Sequence, residues 1–364
     1  MKIGFLIQNL SWGGAERAAS SIASALAQRG AEVQIITFGD EDRFYSPSDD
    51  VKVVNMDFSK IPRELSFKRI VCCAKRFKQI RKYIKKEKFD VLVCMSNTMT
   101  VYGVFASMFT KTKSVGTERN NPYKYASGKI STALRKVSAF FANGFVFQTK
   151  AAAEFFPNRA QKRGEVIPNA VFNKLVYELP QTQERQNIIY GMGRLTEAKR
   201  FDLLIDAFAE VSKKHKDTKL IIFGEGDDRE KLQLQIDSLS LTDKALLPGA
   251  SLDAIKFVSK GRAFVLSSDY EGMPNALMEA MASGVPCVST RCKMGPEELI
   301  ADGENGLLVE TNSSKQIAEA LLKILDDDAL AKRLSAGGKE LLHTHSIDAV
   351  ADKWLEYLSE VAQG

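Results

Sequence analysis

Hydrophobic and polar positions follow two rhythms along this chain. Short runs rich in Val, Ile and Phe at 2–8, 32–38, 51–56, 90–95, 113–117 and 144–148 alternate with longer stretches whose apolar residues recur every three or four positions. The runs predict buried strands and the stretches predict helices that cover them, the pattern of a parallel α/β sheet. A polar stretch, "ELPQTQERQN" at 178–187, breaks the rhythm, which restarts with strands predicted at 188–194, 219–226, 263–268, 285–289 and 306–310. We therefore expect two doubly wound, Rossmann-like domains, 1–177 and 178–347, with 178–187 as the linker. A length of 364 residues suits two such cores. Open parallel sheets bind ligands at the carboxyl ends of their strands, so two of them facing across a cleft would put the chemistry there. A last amphipathic helix, about 348–364, carries Val350, Trp354, Leu358 and Val361 as its apolar stripe.

Three loops after strands are rich in glycine. In the first, Gly13-Gly14 turns into a helix whose Ala15, Ala18, Ala19 and Ala23 suit close packing on the sheet. The second, "GMGRLTEAKRFDLLIDAF", sets Arg194 and Lys199 just ahead of a helix with Phe201, Leu204, Ile205 and Phe208 as its buried stripe. The third is "FGEGDDREKLQ". A dinucleotide fingerprint needs G-x-G-x-x-G, its third glycine allowing helix and strand to approach. Residues 191–196 and 224–229 both lack that glycine, which argues against an NAD site. The P-loop, HExxH, GxSxG and CxxC patterns are also absent. Three histidines, His215, His343 and His345, supply little for histidine-based acid–base chemistry and read as solvated surface.

The segment "YEGMPNALMEAMASGVPCVST" at 270–290 sets Glu271 in a Gly/Pro loop and Glu279 eight positions on, in a helix expected to begin near Ala276. Two acids thus flank a helix N-terminus, with Glu279 expected in the first turn. Unpaired N–H groups and the positive dipole end suit a phosphate there, while carboxylates suit sugar hydroxyls. Arg194 and Lys199 would add positive charge for a diphosphate leaving group. Each residue also has a plainer reading: a helix-end ion pair for Arg194 or Lys199, a favourable dipole contact for Glu279, a tight turn for Gly13-Gly14.

"EGMPNALMEAMASGVP", "GPEELIADGENGLLV", "GRLTEAKRFDLLIDAF" and "GGAER" together resemble the retaining nucleotide-sugar glycosyltransferases of family four, with the GT-B fold, over nearly the whole chain. The resemblance implies that Glu279 binds the ribose hydroxyls, Glu271 the donor sugar, and Arg194 and Lys199 the diphosphate. It gives the backbone at Asn275, Ala276 and Leu277 to phosphate or sugar, and Gly13 and Gly14 to a loop close to donor and acceptor. It further implies that the final helix crosses back onto an acceptor-side first domain. Its reaction would move GalNAc, GlcNAc or a hexose from a UDP-sugar to a glycan or polyprenyl-linked acceptor, with retention and with neither metal nor other cofactor. Many members carry a histidine after the strand matching 113–117, where this chain reads "TERNNP". Glu118 and Arg119 are therefore candidates near the reacting bond. Two other readings stay open: a nucleotide-sugar epimerase of the same fold, and a non-catalytic protein that binds glycan or membrane.

Composition adds a polarity. Residues 1–177 hold 29 Lys+Arg and 14 Asp+Glu, a net +15, against −9 for the rest, a basic half and an acidic half. The stretch 67–89 carries Lys68, Lys75, Lys78, Arg81, Lys82, Lys85 and Lys86 around a stripe of Ile70, Ala74, Phe77, Ile80 and Ile84. It reads either as a surface helix or as a contact for an anionic membrane and lipid-linked acceptors. Aromatic interleaving is lacking, so nucleic acid is not expected. "DED" at 40–42 reads as a solvated loop and "DDDAL" at 326–330 as a helix stop and restart. The five cysteines read as reduced core thiols. No apolar run reaches a membrane span, and the start of the chain reads as a strand, so a cytoplasmic protein is expected, peripheral on the inner face of the cytoplasmic membrane if 67–89 binds lipid.

Overall fold

The computed structural model describes all residues except 12, 40–43, 57–66, 125–127 and 181–183, and not the side chains of 67–70. The acidic loop expected at 40–42 lies outside the described residues, as do the side chains of Lys68 and Ile70. The chain divides into two units, Met1–Ala170 with Ile347–Gly364, and Val171–Ser346.

The first unit is built on strands β1 (Lys2–Leu6), β2 (Glu32–Thr37), β3 (Lys52–Asn55), β4 (Val91–Cys94), β5 (Lys113–Glu118), β6 (Gly144–Phe147) and β7 (Gly164–Val166). They form one parallel sheet in the order β3-β2-β1-β4-β5-β6-β7. The second unit uses β8 (Gln186–Met192), β9 (Lys219–Phe223), β10 (Ala245–Gly249), β11 (Gly261–Leu266), β12 (Cys287–Thr290) and β13 (Leu307–Val309), in the order β10-β9-β8-β11-β12-β13. Central strands such as β1 and β4 are buried along almost their whole length, because helices cover both faces of a parallel sheet. The strands β7 and β10 are the two that hydrophobic pattern does not reveal. β7 is three residues long and half-exposed, and β10, "ALLPG", alternates buried and exposed positions around Pro248, which an edge strand tolerates.

Residues 171–177, expected with the first domain, belong to the second unit. Val171 and Val176 enter its core beside Tyr190 and Phe223, and the Val171 N–H donates to the His345 carbonyl at 2.8 Å. The helix Ile347–Gln363 belongs to the first unit, where Val350, Trp354 and Leu358 are buried. Arg29 donates to Asp352 Oδ1 at 2.7 Å and Asp348 Oδ1 at 3.0 Å, and Tyr357 Oη accepts from the Phe145 N–H at 2.7 Å, fixing the helix at both ends. In the second unit Phe201, Leu204, Ile205 and Phe208 form the expected buried stripe. The helix Ser314–Asp326 stops at Asp327, whose carboxylate caps the next helix by accepting from Leu330 N–H at 2.9 Å.

The basic helix, Phe67–Glu87, buries Ile80 and Ile84 as expected but turns Ala74 outward. Its inner face also takes Arg76, whose guanidinium lies 5.2 Å from the Phe38 ring centroid. Arg81 is anchored rather than solvated, donating to the carbonyls of Ala106 and Met108 at 2.9 and 2.8 Å. Lys75, Lys78, Lys82, Lys85 and Lys86 are exposed.

Candidate functional site

In the second unit, the loop after β8 and the loop after β9 are fastened together. Gly193 N–H donates to Phe223 O and Leu195 N–H to Glu225 O, both at 2.9 Å, and Asp228 N–H donates to Leu195 O at 3.0 Å. The glycines of "FGEG" serve this crossing. Gly224 has φ 150°, and a Cβ there would lie 1.8 Å from the Gly193 carbonyl oxygen. Fastening fixes the base from which Arg194 projects. Arg194 is exposed and, among the described residues, has no ion-pair partner.

Lys199 closes a short 3₁₀ turn, Glu197–Lys199, and Arg200 follows it in the left-handed region at φ 49°. Two contacts draw this turn toward the loop after β11: Ser267 Oγ donates to Lys199 O at 2.8 Å and Asp269 N–H to Ala198 O at 2.9 Å. The Lys199 ammonium then meets Glu271 Oε1 at 2.5 Å, and Ser268 Oγ donates to the same oxygen at 2.6 Å. Lys199 and Glu271 are 72 residues apart in sequence and one ion pair in space. Arg200 pairs with Asp202 and Asp269, a cluster that the sequence reading missed.

The helix that Glu271 precedes is Asn275–Ala282, one residue earlier than expected. Glu279 therefore lies in its second turn, not its first; it is buried, and its Oε2 accepts from Asn173 Nδ2 at 3.4 Å. The ladder opens with Met278 N–H bonded to Pro274 O at 3.1 Å, which leaves the Ala276 and Leu277 amides outside it. Asn275 and Ala276 are half-buried and Leu277 is fully buried, so that turn offers backbone and little side chain.

In the first unit the candidates behave differently. Gly13 caps the helix Gly14–Gln28 with an extended backbone. Glu16 folds back over it, so that a Cβ on Gly13 would stand 2.0 Å from Glu16 Oε2. An acid already sits at this helix start, and Gly13 is the residue that leaves room for it. Glu118 ends β5 and is fully buried: one oxygen accepts from the Asn120 N–H at 3.0 Å and the other pairs with Arg135, itself buried. Burial pushes the Glu118 carboxyl up while the Arg135 guanidinium pulls it back down. Arg119 is also buried. Its Nη2 donates to Asn169 Oδ1 at 2.6 Å, the oxygen that Gln148 Nε2 reaches at 2.5 Å, while its Nε and Nη1 have no hydrogen-bond partner among the described residues. Burial pushes its pKa down to about 10, so it stays a cation at neutral pH. Arg135, Gln148 and Asn169 were missed in the sequence because their partners lie 17 to 50 positions away.

Each unit thus carries acid–base groups at the carboxyl ends of parallel strands. A model described as "Glycosyl transferases group 1" matches residues 179–341, and one described as "Glycosyltransferase Family 4" matches 12–172. The chain belongs to the family-four glycosyltransferases and has their GT-B fold. It is similar to the Campylobacter jejuni GalNAc-alpha-(1->4)-GalNAc-alpha-(1->3)-diNAcBac-PP-undecaprenol alpha-1,4-N-acetyl-D-galactosaminyltransferase, 28% identical over 99% of each chain. A second Campylobacter jejuni relative, N-acetylgalactosamine-N,N'-diacetylbacillosaminyl-diphospho-undecaprenol 4-alpha-N-acetylgalactosaminyltransferase, is 27% identical over 98% of this chain and 99% of its own. Among solved structures, Anabaena HepE in complex with UDP superposes with a TM-score of 0.79 at 19% identity, over 99% of this chain and 100% of that one. The activity is glycosyl transfer. Among the described residues no helix is long and apolar enough to cross a membrane.

Proposed function

We propose that this chain transfers GalNAc, GlcNAc or a hexose from a UDP-sugar to a polyprenyl-diphosphate-linked glycan, with retention of anomeric configuration. The observation that carries the donor half is the Lys199–Glu271 pair beside the helix Asn275–Ala282, with Arg194 exposed on the neighbouring loop. Glu279 accepts the ribose hydroxyls and Glu271 the hydroxyls of the transferred sugar. When a diphosphate arrives, Lys199 shares its charge between Glu271 and the phosphates. Arg194 and the Ala276 and Leu277 amides bind the phosphates directly. As the sugar–oxygen bond breaks, negative charge grows on the departing diphosphate, and these fixed positive groups stabilise it more than they do the bound ground state. That assigns charge neutralisation to the protein, with no resident metal or other cofactor.

The acceptor half rests on the two relatives, whose names give them undecaprenyl-linked substrates, and on the basic first unit. We assign Gly13 and Gly14 to a loop that approaches both donor and acceptor and Arg119 to the reacting bond, with Glu118 holding the strand end that presents Arg119. The lysines of the basic helix would hold the protein against anionic lipid at the cytoplasmic face of the membrane.

Incubation with UDP-GalNAc, UDP-GlcNAc and UDP-glucose, with and without an undecaprenyl-diphosphate glycan, tests the reading by mass spectrometry. One donor should be consumed and the acceptor should gain one sugar, which an α-specific exoglycosidase and not a β-specific one removes. An isomeric UDP-sugar formed without acceptor, resolved from the donor by chromatography, would make the chain an epimerase, and nucleotide binding without turnover would make it a binding protein.

A further inference from the structure

The helix Gly128–Phe141 in the first unit is folded inside out. Its inward positions are Arg135, Ser138 and Ala139, while Ile130, Leu134, Val137 and Phe141, spaced i, i+4, i+7 and i+11, face solvent at 78%, 45%, 43% and 48% exposure. A helix covering a sheet normally does the reverse. Here Arg135 must turn inward to pair with buried Glu118, and that choice sends the apolar stripe outward. A second apolar feature joins it. Phe109, in the turn after the helix Asn97–Ser107, is 93% exposed, and its φ of 60° is unusual for a bulky residue. Phe109 and Phe141 line the same shallow groove.

The stretch of chain that carries this surface is basic. Between Asp90 and Glu154 the sequence holds one acid, Glu118, and it is the buried one. Lys111, Lys129 and Lys136 are exposed within the same stretch. The basic helix borders it, since Arg81 donates to the carbonyl of Met108, the residue before Phe109.

We propose that the stripe Ile130–Leu134–Val137–Phe141 and the tip Phe109 insert into the headgroup–acyl boundary of an anionic bilayer, with the neighbouring lysines on its headgroups. An amphipathic helix with apolar residues on one side and lysines beside them binds a membrane surface in this way. A second copy of the chain is the poorer occupant, because an isologous contact would bring lysine-rich rims together. The inference extends the membrane contact proposed above from electrostatic attraction to insertion, and its test uses no sugar donor, so its failure leaves the proposed transfer standing.

The full chain carrying F109W is mixed with vesicles of phosphatidylglycerol and phosphatidylcholine. Its emission should shift to the blue beyond the parent's own tryptophan signal and be quenched by lipids brominated high on the acyl chain. Separately, a variant with Phe109→Ser, Ile130→Ser and Leu134→Ser should sediment with these vesicles at least about tenfold more weakly than the parent, with unchanged UDP affinity and thermal unfolding. An F109W indole that reports no change while the protein sediments, a triple variant that sediments as the parent does, or a parent that ignores anionic vesicles would each overturn the inference. So would a parent dimer that the triple variant dissociates, which would give the stripe to a second copy.

Discussion

The two units place an acid and a base together at the ends of their strands, and burial makes the pairs different devices. Glu118–Arg135 in the first unit is sealed, with side-chain exposures of 0% and 3%. Lys199–Glu271 in the second is open on one side: Glu271 is buried, at 10%, but Lys199 is 22% exposed, and the pair borders a helix N-terminus and an exposed arginine. On the function proposed above, the sealed pair holds the fold and positions Arg119. An open pair can exchange its partner for substrate. The nature of the side chains does not separate these roles; access does.

The largest effect should come from breaking the sealed pair. Glu118→Ala leaves Arg135 buried without its partner and should cost about 3–5 kcal/mol of stability, read from the denaturant midpoint of unfolding. Glu118→Leu with Arg135→Met should recover much of it. A Glu118→Ala protein as stable as its parent but inactive would reverse the comparison and make Glu118 a reacting group.

The open side is tested by Arg194→Ala, which should lose about 2–4 kcal/mol of transition-state stabilisation, a rate loss of roughly 30- to 1,000-fold, with the fold intact. Wild-type turnover in that variant would remove Arg194 from the phosphate site. Glu279→Gln should weaken nucleotide binding by about 1.5–3 kcal/mol in calorimetry, because a charge-assisted hydrogen bond is lost. Equal affinity for UDP and its 2′-deoxy form would argue that Glu279 serves the fold, through Asn173, and not the ribose.

The smallest effect per residue belongs to the exposed lysines of the basic helix. Each should contribute ~1 kcal/mol or less to binding an anionic surface, and the contribution should fade as salt shortens the Debye length. Replacing Lys75, Lys78, Lys82 and Lys85 by Gln should weaken vesicle binding at low salt and leave UDP affinity unchanged. Retained binding at low salt would leave the apolar stripe as the main anchor.

Much of the second unit was legible because its site is written in short local segments. "GRLTEAK" contains both cations and "EGMPNALMEAM" both acids, so the sequence order alone puts these segments directly after β8 and β11. The helix start was misjudged by one residue, since Pro274 can serve as its cap without donating an N–H, and that moved Glu279 back a turn. The first unit was less legible. Glu118 and Arg119 stood out beside a strand, but their roles depend on Arg135, Gln148 and Asn169, which only the fold brings near.

By itself the sequence determined two parallel α/β sheets, the family motifs, the division into a basic and an acidic half, and the apolar stripes of the basic helix, the helix after Lys199 and the final helix, because all of these are local or additive. Only the tertiary structure decided which side of a helix is inside. Both the basic helix and the helix Gly128–Phe141 have an apolar stripe at helical spacing. The first buries Ile80 and Ile84 against the sheet, while the second spends its inner face on Arg135, since a buried Glu118 needs a cation more than the sheet needs another leucine. An uncompensated buried charge outweighs the exposure of several apolar side chains, and that balance is set by a contact between residues that the sequence keeps 17 positions apart.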